Sequence, residues 1–470
     1  LRLPPWKPAP ELSGLSPGTR YYYSVGTSAA PLAGGDDQHY FVTGPLDGTT
    51  TRIWVLGDSG TADANARTVR DAYMSLTGPV HTDLWLMLGD NAYPSGTDEE
   101  YQAALFDMYP EMLRTSVLWP TLGNHDGVSS SSSTQSGPYY DMFSLPAQAE
   151  AGGLASGTEA YYSFDFGNIH FICLDSFETD RSPAGAMLTW LQEDLMATDR
   201  YWVIAFWHHP PYSKGSHDSD TETELIQMRA NALPILDAAC VDLVLTGHSH
   251  SYERSYLLDG HYSVSSTLTP AMILDSGDGR VGSAGAYQKS AGSPAPHEGT
   301  VYVVAGSSGQ ISGGDLNHPV MYLSLNVLGS LVLEVAGPQL NVRFLDGSGT
   351  WRDHFTLYKG TSLPCEPTQA PPDQGDTLRI GPGTDAIAWA RDASSVFSNV
   401  YRGTVPAGTP FSYSHACLVS GTAAESALDP TVPPPGGGFY YLVSGSNACG
   451  ESLLGYSSAG LPQLNTAPCP

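Results

Sequence analysis

The 470-residue chain carries a formal charge of −28, with 14% charged residues, 51 glycines and 36 prolines. So acidic a surface repels polyanions, which excludes nucleic acid and anionic membrane surfaces as natural partners. The glycine and proline excess argues against a helical bundle, the 41% hydrophobic share excludes wholesale disorder, and no apolar run reaches the ~18 residues of a membrane span.

Residues 1–48 open Pro-rich. Leu15, Pro17, Thr19, Tyr21, Tyr23 and Val25 follow in the spacing L-x-P-x-T-x-Y-x-Y-x-V, and Tyr21, Tyr23 and Val25 alternate as one face of a strand should. The stretch resembles the late strands of a fibronectin type III-like sandwich, which needs ~90–100 residues. It is expected to be a partial module whose upstream half is missing or replaced.

Residues 49–360 predict one large α/β domain. Apolar runs at Ile53–Leu56, Leu84–Leu88, Tyr201–Phe206 and Val241–Leu245 read as buried strands. They alternate with helical patterns near 64–76, 98–114, 184–197 and 221–238, as in βαβ units. Ser129–Ser133 is a serine run expected to be flexible and solvated. Residues 361–376 carry four prolines and read as a linker. Residues 377–470 predict a small all-β module with strands at Ala386–Ala390, Asn399–Arg402, Phe411–Cys417 and Phe439–Val443.

Cys173 and Cys240 sit in apolar surroundings and are expected as buried thiols. Cys365, Cys417, Cys449 and Cys469 suggest two disulfides and an oxidising compartment, hence a secreted or periplasmic location. Three connectivities are open; Cys417–Cys449 with Cys365–Cys469 is the preferred one.

Five apolar runs end in a glycine or aromatic residue followed by metal-ligand types: IWVLGDSG, LWLMLGDNAY, LWPTLGNHD, VIAFWHHPPY and LVLTGHSH. They offer Asp58; Asp90 and Tyr93; Asn124 and His125; His208 and His209; His248 and His250. Ligands of α/β folds gather beyond the carboxyl ends of strands, so five strand ends can converge on one point. Carboxylate, imidazole and amide donors suit zinc, iron or manganese. Two ions about 3.5–4 Å apart can clamp the attacking and leaving oxygens of a phosphoryl displacement. A trivalent and a divalent ion on two aspartates, a tyrosinate and a hydroxide leave a site of about +1, which attracts phosphate on an otherwise acidic protein.

The set GDSG, GDNAY, GNHD, a histidine after a strand, and GHSH resembles the calcineurin-like metallophosphoesterases. Tyr93, the continuation His250-Ser251-Tyr252-Glu253-Arg254 and the stretch Tyr161–Ser176 are similar to the purple acid phosphatase branch. The resemblance covers residues 12–358. It implies a metallophosphoesterase β-sandwich flanked by helices, with fibronectin III-like all-β modules on either side. It implies that Asp58, Tyr93 and His250 bind Fe(III), that Asp90 bridges, and that Asn124, His208 and His248 hold a divalent ion (Zn, Mn or Fe). His125 is implied to contact the phosphate and assist the leaving oxygen. His217 stands where the branch often places a substrate-contacting histidine. Asp218 departs from the second histidine of plant-type members, and Asp126 replaces the glutamate of many.

On the residues themselves, His209 is expected beside the ligands rather than among them, with Asp126 in the same supporting role. Lys214 is a candidate substrate contact. Arg254 is expected in a structural ion pair, and His170 as a satisfied core histidine. The reaction implied is hydrolysis of a small phosphate ester, a monoester foremost, by in-line attack of metal-bound hydroxide. The alternatives are phosphodiester or nucleotide hydrolysis at the same site, or a cell-surface binding protein with a vestigial site. The C-terminal module is expected to tether the chain to a surface or polysaccharide.

Overall fold

The structure is a computed structural model. It describes residues 12–45, 49–78, 80–281, 283–290 and 296–360, then 377–381, 385–391, 395, 397–408, 411–447, 450–455, 465 and 469. The expected linker over 361–376 lies outside the described residues. So do Cys365 and Cys449.

Two compact units are present. One comprises Leu1–Ser276, Lys289–Asp353 and Leu357–Gly360; the other comprises Gly277–Gln288, His354–Thr356 and Thr361–Pro470. The first unit is a β-sandwich. Its strands are β1 (Thr51–Leu56), β2 (Leu84–Met87), β3 (Val117–Pro120), β4 (Tyr162–Phe166), β5 (Ile169–Cys173), β6 (Trp202–Trp207), β7 (Leu243–Thr246), β8 (Tyr252–Ser255), β9 (Val301–Ala305), β10 (Met321–Leu325), β11 (Gly329–Ala336), β12 (Gln339–Asp346) and β13 (Trp351–Lys359).

One sheet runs β10-β8-β9-β7-β6-β5-β4, with β5, β6, β7 and β9 parallel. The other also has seven strands, Tyr287–Lys289 followed by β13-β12-β11-β1-β2-β3, with β1, β2 and β3 parallel. Apart from Arg52 and the edge strand β3, which is buried only at Pro120, the parallel strands are buried along their whole length, as strands covered on both faces must be. Between the sheets, Tyr252 stacks on Phe344 at 4.0 Å and the Trp202 indole donates to the Gly337 carbonyl at 2.8 Å.

Helices cover the outer faces. Asp63 caps α1 (Ala64–Thr77) by accepting from the Asn65 and Ala66 amides, and Tyr73 of that helix stacks on Trp54 at 4.2 Å. On the other sheet, Met187, Leu188 and Leu191 of α2 (Ala186–Ala197) pack with Leu233 and Leu236 against Ile172, Val203, Ala205 and Val244.

One expected helix is broken, and another carries a wide turn. The 98–114 pattern forms Asp98–Tyr101 with a Thr97/Glu100 capping box, a wide turn at Gln102–Phe106, and then Pro110–Thr115. Pro110 has no N–H to continue the ladder and so starts a new helix. The 221–238 pattern forms one continuous helical segment over Thr223–Ala238, with a wide turn at Met228–Ala232 just ahead of Pro234. The serine run is not a solvated loop. Ser130 and Ser132 are buried; the Ser130 hydroxyl accepts from the Tyr139 amide at 3.0 Å, and the Ser132 hydroxyl meets the Tyr140 phenol at 2.8 Å.

Near the N-terminus, Arg20–Tyr22 pairs with Tyr40–Val42, and Ser24–Gly26 pairs with Pro31–Gly34. The single expected strand is thus interrupted at Tyr23, whose hydroxyl donates to the Arg114 carbonyl at 3.0 Å.

The second unit holds two small antiparallel sheets. One orders Arg379–Ile380, Ala386–Ala388 and Ser426–Leu428; the other orders Ala416–Thr422, Phe397–Val405, Gly438–Asn447 and Gly450–Glu451. Ile387, Trp389, Val400 and Val443 form their core, an arrangement compatible with a fibronectin III-like module. The strand expected at 411–417 begins only at Ala416. The preferred disulfide pairing is corrected: Cys417 bonds Cys469, with Cα atoms 4.9 Å apart. The order of the strands brings the chain end beside Cys417, which spacing in sequence does not reveal. Cys173 and Cys240 are free and buried.

Candidate active site

The ligand-type residues lie just past the carboxyl ends of β1, β2, β3, β6 and β7. Asp58, Asp90 and His248 each follow a glycine and hold φ near +55°, +53° and +65°, a left-handed conformation that costs a non-glycine residue of order 1–3 kcal/mol. This turns the chain sharply out of each strand and aims the side chain inward. The glycines also leave room. A Cβ on Gly123 would lie 2.2 Å from Asp90 Oδ1, and one on Gly89 would lie 2.5 Å from His208 Nδ1.

Two groups of donors result. In the first, Tyr93 Oη lies 3.2 Å from Asp58 Oδ1, 2.9 Å from Asp90 Oδ2 and 3.4 Å from His250 Nε2. In the second, Asn124 Oδ1 lies 3.0 Å from His208 Nε2 and 3.0 Å from His248 Nδ1, and those two nitrogens are 3.2 Å apart. Asp90 reaches both groups: Oδ2 toward Tyr93, and Oδ1 3.5 Å from His208 Nε2. The clusters Asp58–Asp90–His208, His208–His209–His248 and His217–Glu222–His248 each have the donor types and closeness to hold a cation.

The electrostatics fit cations. Asp58 and Asp90 are almost wholly buried, and among the described residues no lysine or arginine pairs with either. Burial, with the Asp90 carboxylate beside it, pushes Asp58 well above the usual carboxylate range. Burial and the same two carboxylates raise Tyr93, so that without a cation it stays a phenol. Burial pushes His248 down to about 3 and His250 down to about 4, leaving neutral imidazoles, the form that binds metal.

Neighbouring atoms orient the rings. His208 Nδ1 is 2.8 Å from the Leu88 carbonyl and His250 Nδ1 is 2.8 Å from Ser312 Oγ, so each presents Nε2 to the cluster. Gln310 Nε2 lies 3.2 Å from His250 Nε2. His209 stands beside the ligands, its Nδ1 2.9 Å from Ser176 Oγ and its ring 4.3 Å from that of His248.

Asp126 ties two ligand loops together. Its carboxylate accepts from the Asn91 amide at 3.1 Å, the Gly123 amide at 2.9 Å and the Tyr101 hydroxyl at 2.6 Å. His125 is held by Nδ1 on the Pro94 carbonyl at 2.7 Å, with Nε2 3.9 Å from Asp90 Oδ2. His217 stacks on His248 at 3.7 Å. Lys214 is engaged elsewhere: its amine makes ion pairs with Asp218 at 2.7 Å and Asp220 at 3.0 Å. Gln310, Ser312, Ser176 and Glu222 escape the reading of the sequence. Gln310 and Ser312 had a signal, since VYVVAGSSGQIS is a sixth apolar run ending in glycine and polar residues.

A sandwich with donors at the parallel strand ends defines the class. Residues 51–252 match the family model of the calcineurin-like phosphoesterases and form a calcineurin-like phosphoesterase domain. Within that class the chain is purple acid phosphatase-like. It is 32% identical over 281 residues to purple acid phosphatase 23 of Arabidopsis thaliana, covering 53% of this chain and 58% of the relative. It is 29% identical over 274 residues to purple acid phosphatase 15 of the same plant, covering 52% and 48%. The chain thus spans about half the length of the curated relatives it matches. The purple acid phosphatase PPD1 from yellow lupin (Lupinus luteus) seeds shares the fold, with a TM-score of 0.57 at 18% identity over 74% of this chain and 61% of that one.

Proposed function

We propose that the chain hydrolyses small phosphate esters, phosphomonoesters foremost, at a centre of two metal ions. Asp58, Tyr93 and His250 would hold Fe(III), Asn124, His208 and His248 a divalent ion (Zn, Mn or Fe), and Asp90 would bridge. The observation that carries this reading is the convergence of these seven donors from five strand ends, with Asp90 reaching both groups. Bound there, the ions supply Lewis acidity: they offset phosphate charge and acidify water.

The chain's own residues bind and orient. His125, about one-third exposed and pinned through Nδ1, offers Nε2 to a phosphate or leaving oxygen. His217 faces the same cluster from the His248 side. Lys214, paired with two aspartates, is left out of the substrate site in this reading. Residues 49–360 would form the catalytic domain and 377–470 an accessory module that tethers the chain to a surface or polysaccharide. The Cys417–Cys469 disulfide supports an oxidising, extracytoplasmic compartment.

The test is metal content per chain after reconstitution with iron and zinc, followed by rates on matched mono- and diesters. Two ions and faster monoester turnover are expected. Faster diester turnover would reassign the substrate. No bound metal would overturn the reading in favour of a binding protein with a vestigial site.

A further inference from the structure

His217 lies in the segment Ser213–Glu222, which folds over the His248 side of the cluster. Its Nδ1 faces the Glu222 carboxylate at 3.1 Å and 2.9 Å, a two-oxygen contact. Among the described residues its Nε2 has no hydrogen-bond partner, and the side chain is 30% exposed. The Glu222 carboxylate is itself fixed: Oε1 accepts from the Asp218 amide at 3.0 Å, and Oε2 lies 3.5 Å from His248 Nε2. The neighbouring acid is not available to this ring. Asp218 Oδ1 holds the Lys214 amine at 2.7 Å, and Lys214 also holds Asp220.

A carboxylate accepts and cannot donate, so the ring nitrogen facing it must carry the hydrogen. From this geometry we infer that Glu222 is a positioning residue for the proposed hydrolysis. It fixes the hydrogen of His217 on Nδ1 and turns Nε2 toward the ester oxygen of the substrate.

The inference rests on the proposed phosphoesterase reading and adds to it the residue that orients the proton donor. As the phosphorus–oxygen bond breaks, its electron pair stays on the ester oxygen. For the ring to act as donor it must also carry a hydrogen on Nε2, and that proton moves to the oxygen, giving a neutral alcohol. Water supplies the oxygen that phosphorus gains, and the ring is left neutral with Nδ1–H still on Glu222. Proton transfer of this kind contributes ~10²–10⁴-fold, and most where the leaving group is poor.

The test is a cycle of Glu222→Ala, His217→Ala and the double variant in the metal-loaded protein, assayed on p-nitrophenyl phosphate and on an alkyl phosphate. Glu222→Ala is expected to lower kcat on the alkyl ester at least ~10-fold more than on the p-nitrophenyl ester. It should have no further effect once His217 is absent. Glu222→Gln, which keeps an acceptor, should recover part of the loss. Equal losses on both esters, or additive losses in the double variant, would overturn the inference, since Glu222 would then act through His248 or through folding.

A second readout needs no turnover. In metal-free protein, at a pH where His217 is neutral, imidazole nitrogen chemical shifts should report its hydrogen on Nδ1, and a shift of population toward Nε2–H in Glu222→Ala. The same tautomer mixture in both proteins would overturn the pairing. Wild-type protein that binds two metals but turns over neither ester, with the tautomer shift present, would instead sink the phosphoesterase reading and leave the pairing standing.

Discussion

His170 is a buried charge rather than a quiet core residue. Its Nδ1 is 2.8 Å from Asp165 Oδ1 and its Nε2 is 2.8 Å from Asp194 Oδ2. Both ring nitrogens face acceptors, so both must carry hydrogen. Burial alone would lower the pKa, but the two carboxylates outweigh it and push the ring up to about 9. A raised pKa adds stability that is fully present below about pH 6.5 and is lost as pH rises through 9, a total of about 3 kcal/mol. His170→Gln should therefore be less stable than wild type at pH 6, and the gap should narrow by pH 9.5. Thermal unfolding of both proteins at the two pH values measures this, and a gap that does not change with pH would refute the charged pair. The sequence marks His170 as a satisfied core residue, but not its charge, because Asp194 approaches from α2.

Among the elements, the buried ion pair between Arg254 of β8 and Asp353 of β13 fastens one sheet to the other. Arg254 Nε and Nη2 lie 2.6 Å and 3.0 Å from the two carboxylate oxygens, and the Tyr252 hydroxyl donates to the same carboxylate at 2.7 Å. The guanidinium also lies over the Tyr322 ring at 4.3 Å. Removing one partner of a buried pair strands the other charge, so Arg254→Ala should cost about 3–5 kcal/mol. Because β8 follows directly on His248 and His250, metal affinity should fall with it. Chemical denaturation and metal titration of the variant test both effects; a loss under ~1 kcal/mol would show the pair to be dispensable. The pair is half legible, since the run His250–Arg254 marks the arginine but nothing marks Asp353, about a hundred residues on. The same contrast holds across the fold. Strand ends β1, β2, β3, β6 and β7 are legible because each is an apolar run closed by a ligand-type residue. The hairpins β11, β12 and β13 pair strand to strand without intervening helices, so the βα rhythm passes over them. Asp126 carries no mark of its four donors, which come from Tyr101 at a helix end and from Asn91 and Gly123 on two loops.

At the scale of the whole molecule, the formal charge of −28 opposes any anion that approaches. A dianionic monoester meets that field before it meets the strand ends. The field reaches about 30 Å at 0.01 M ionic strength and about 8 Å at 0.15 M. The proposed centre, about +1 when loaded, acts only at short range, where burial shields it from salt. The two fields therefore differ in their response to salt. Raising ionic strength from about 0.01 M to about 0.15 M removes the repulsion and leaves the local attraction. For a dianionic monoester kcat/KM should rise severalfold with added salt, with kcat nearly constant, because the encounter and not the chemistry is affected. A monoanionic diester, repelled half as strongly, should gain less. A salt of large, weakly coordinating anions keeps competition for the metals out of the comparison. If kcat/KM fell with salt instead, the metal centre's positive field would govern the approach, and the acidic surface would be electrostatically silent at the site.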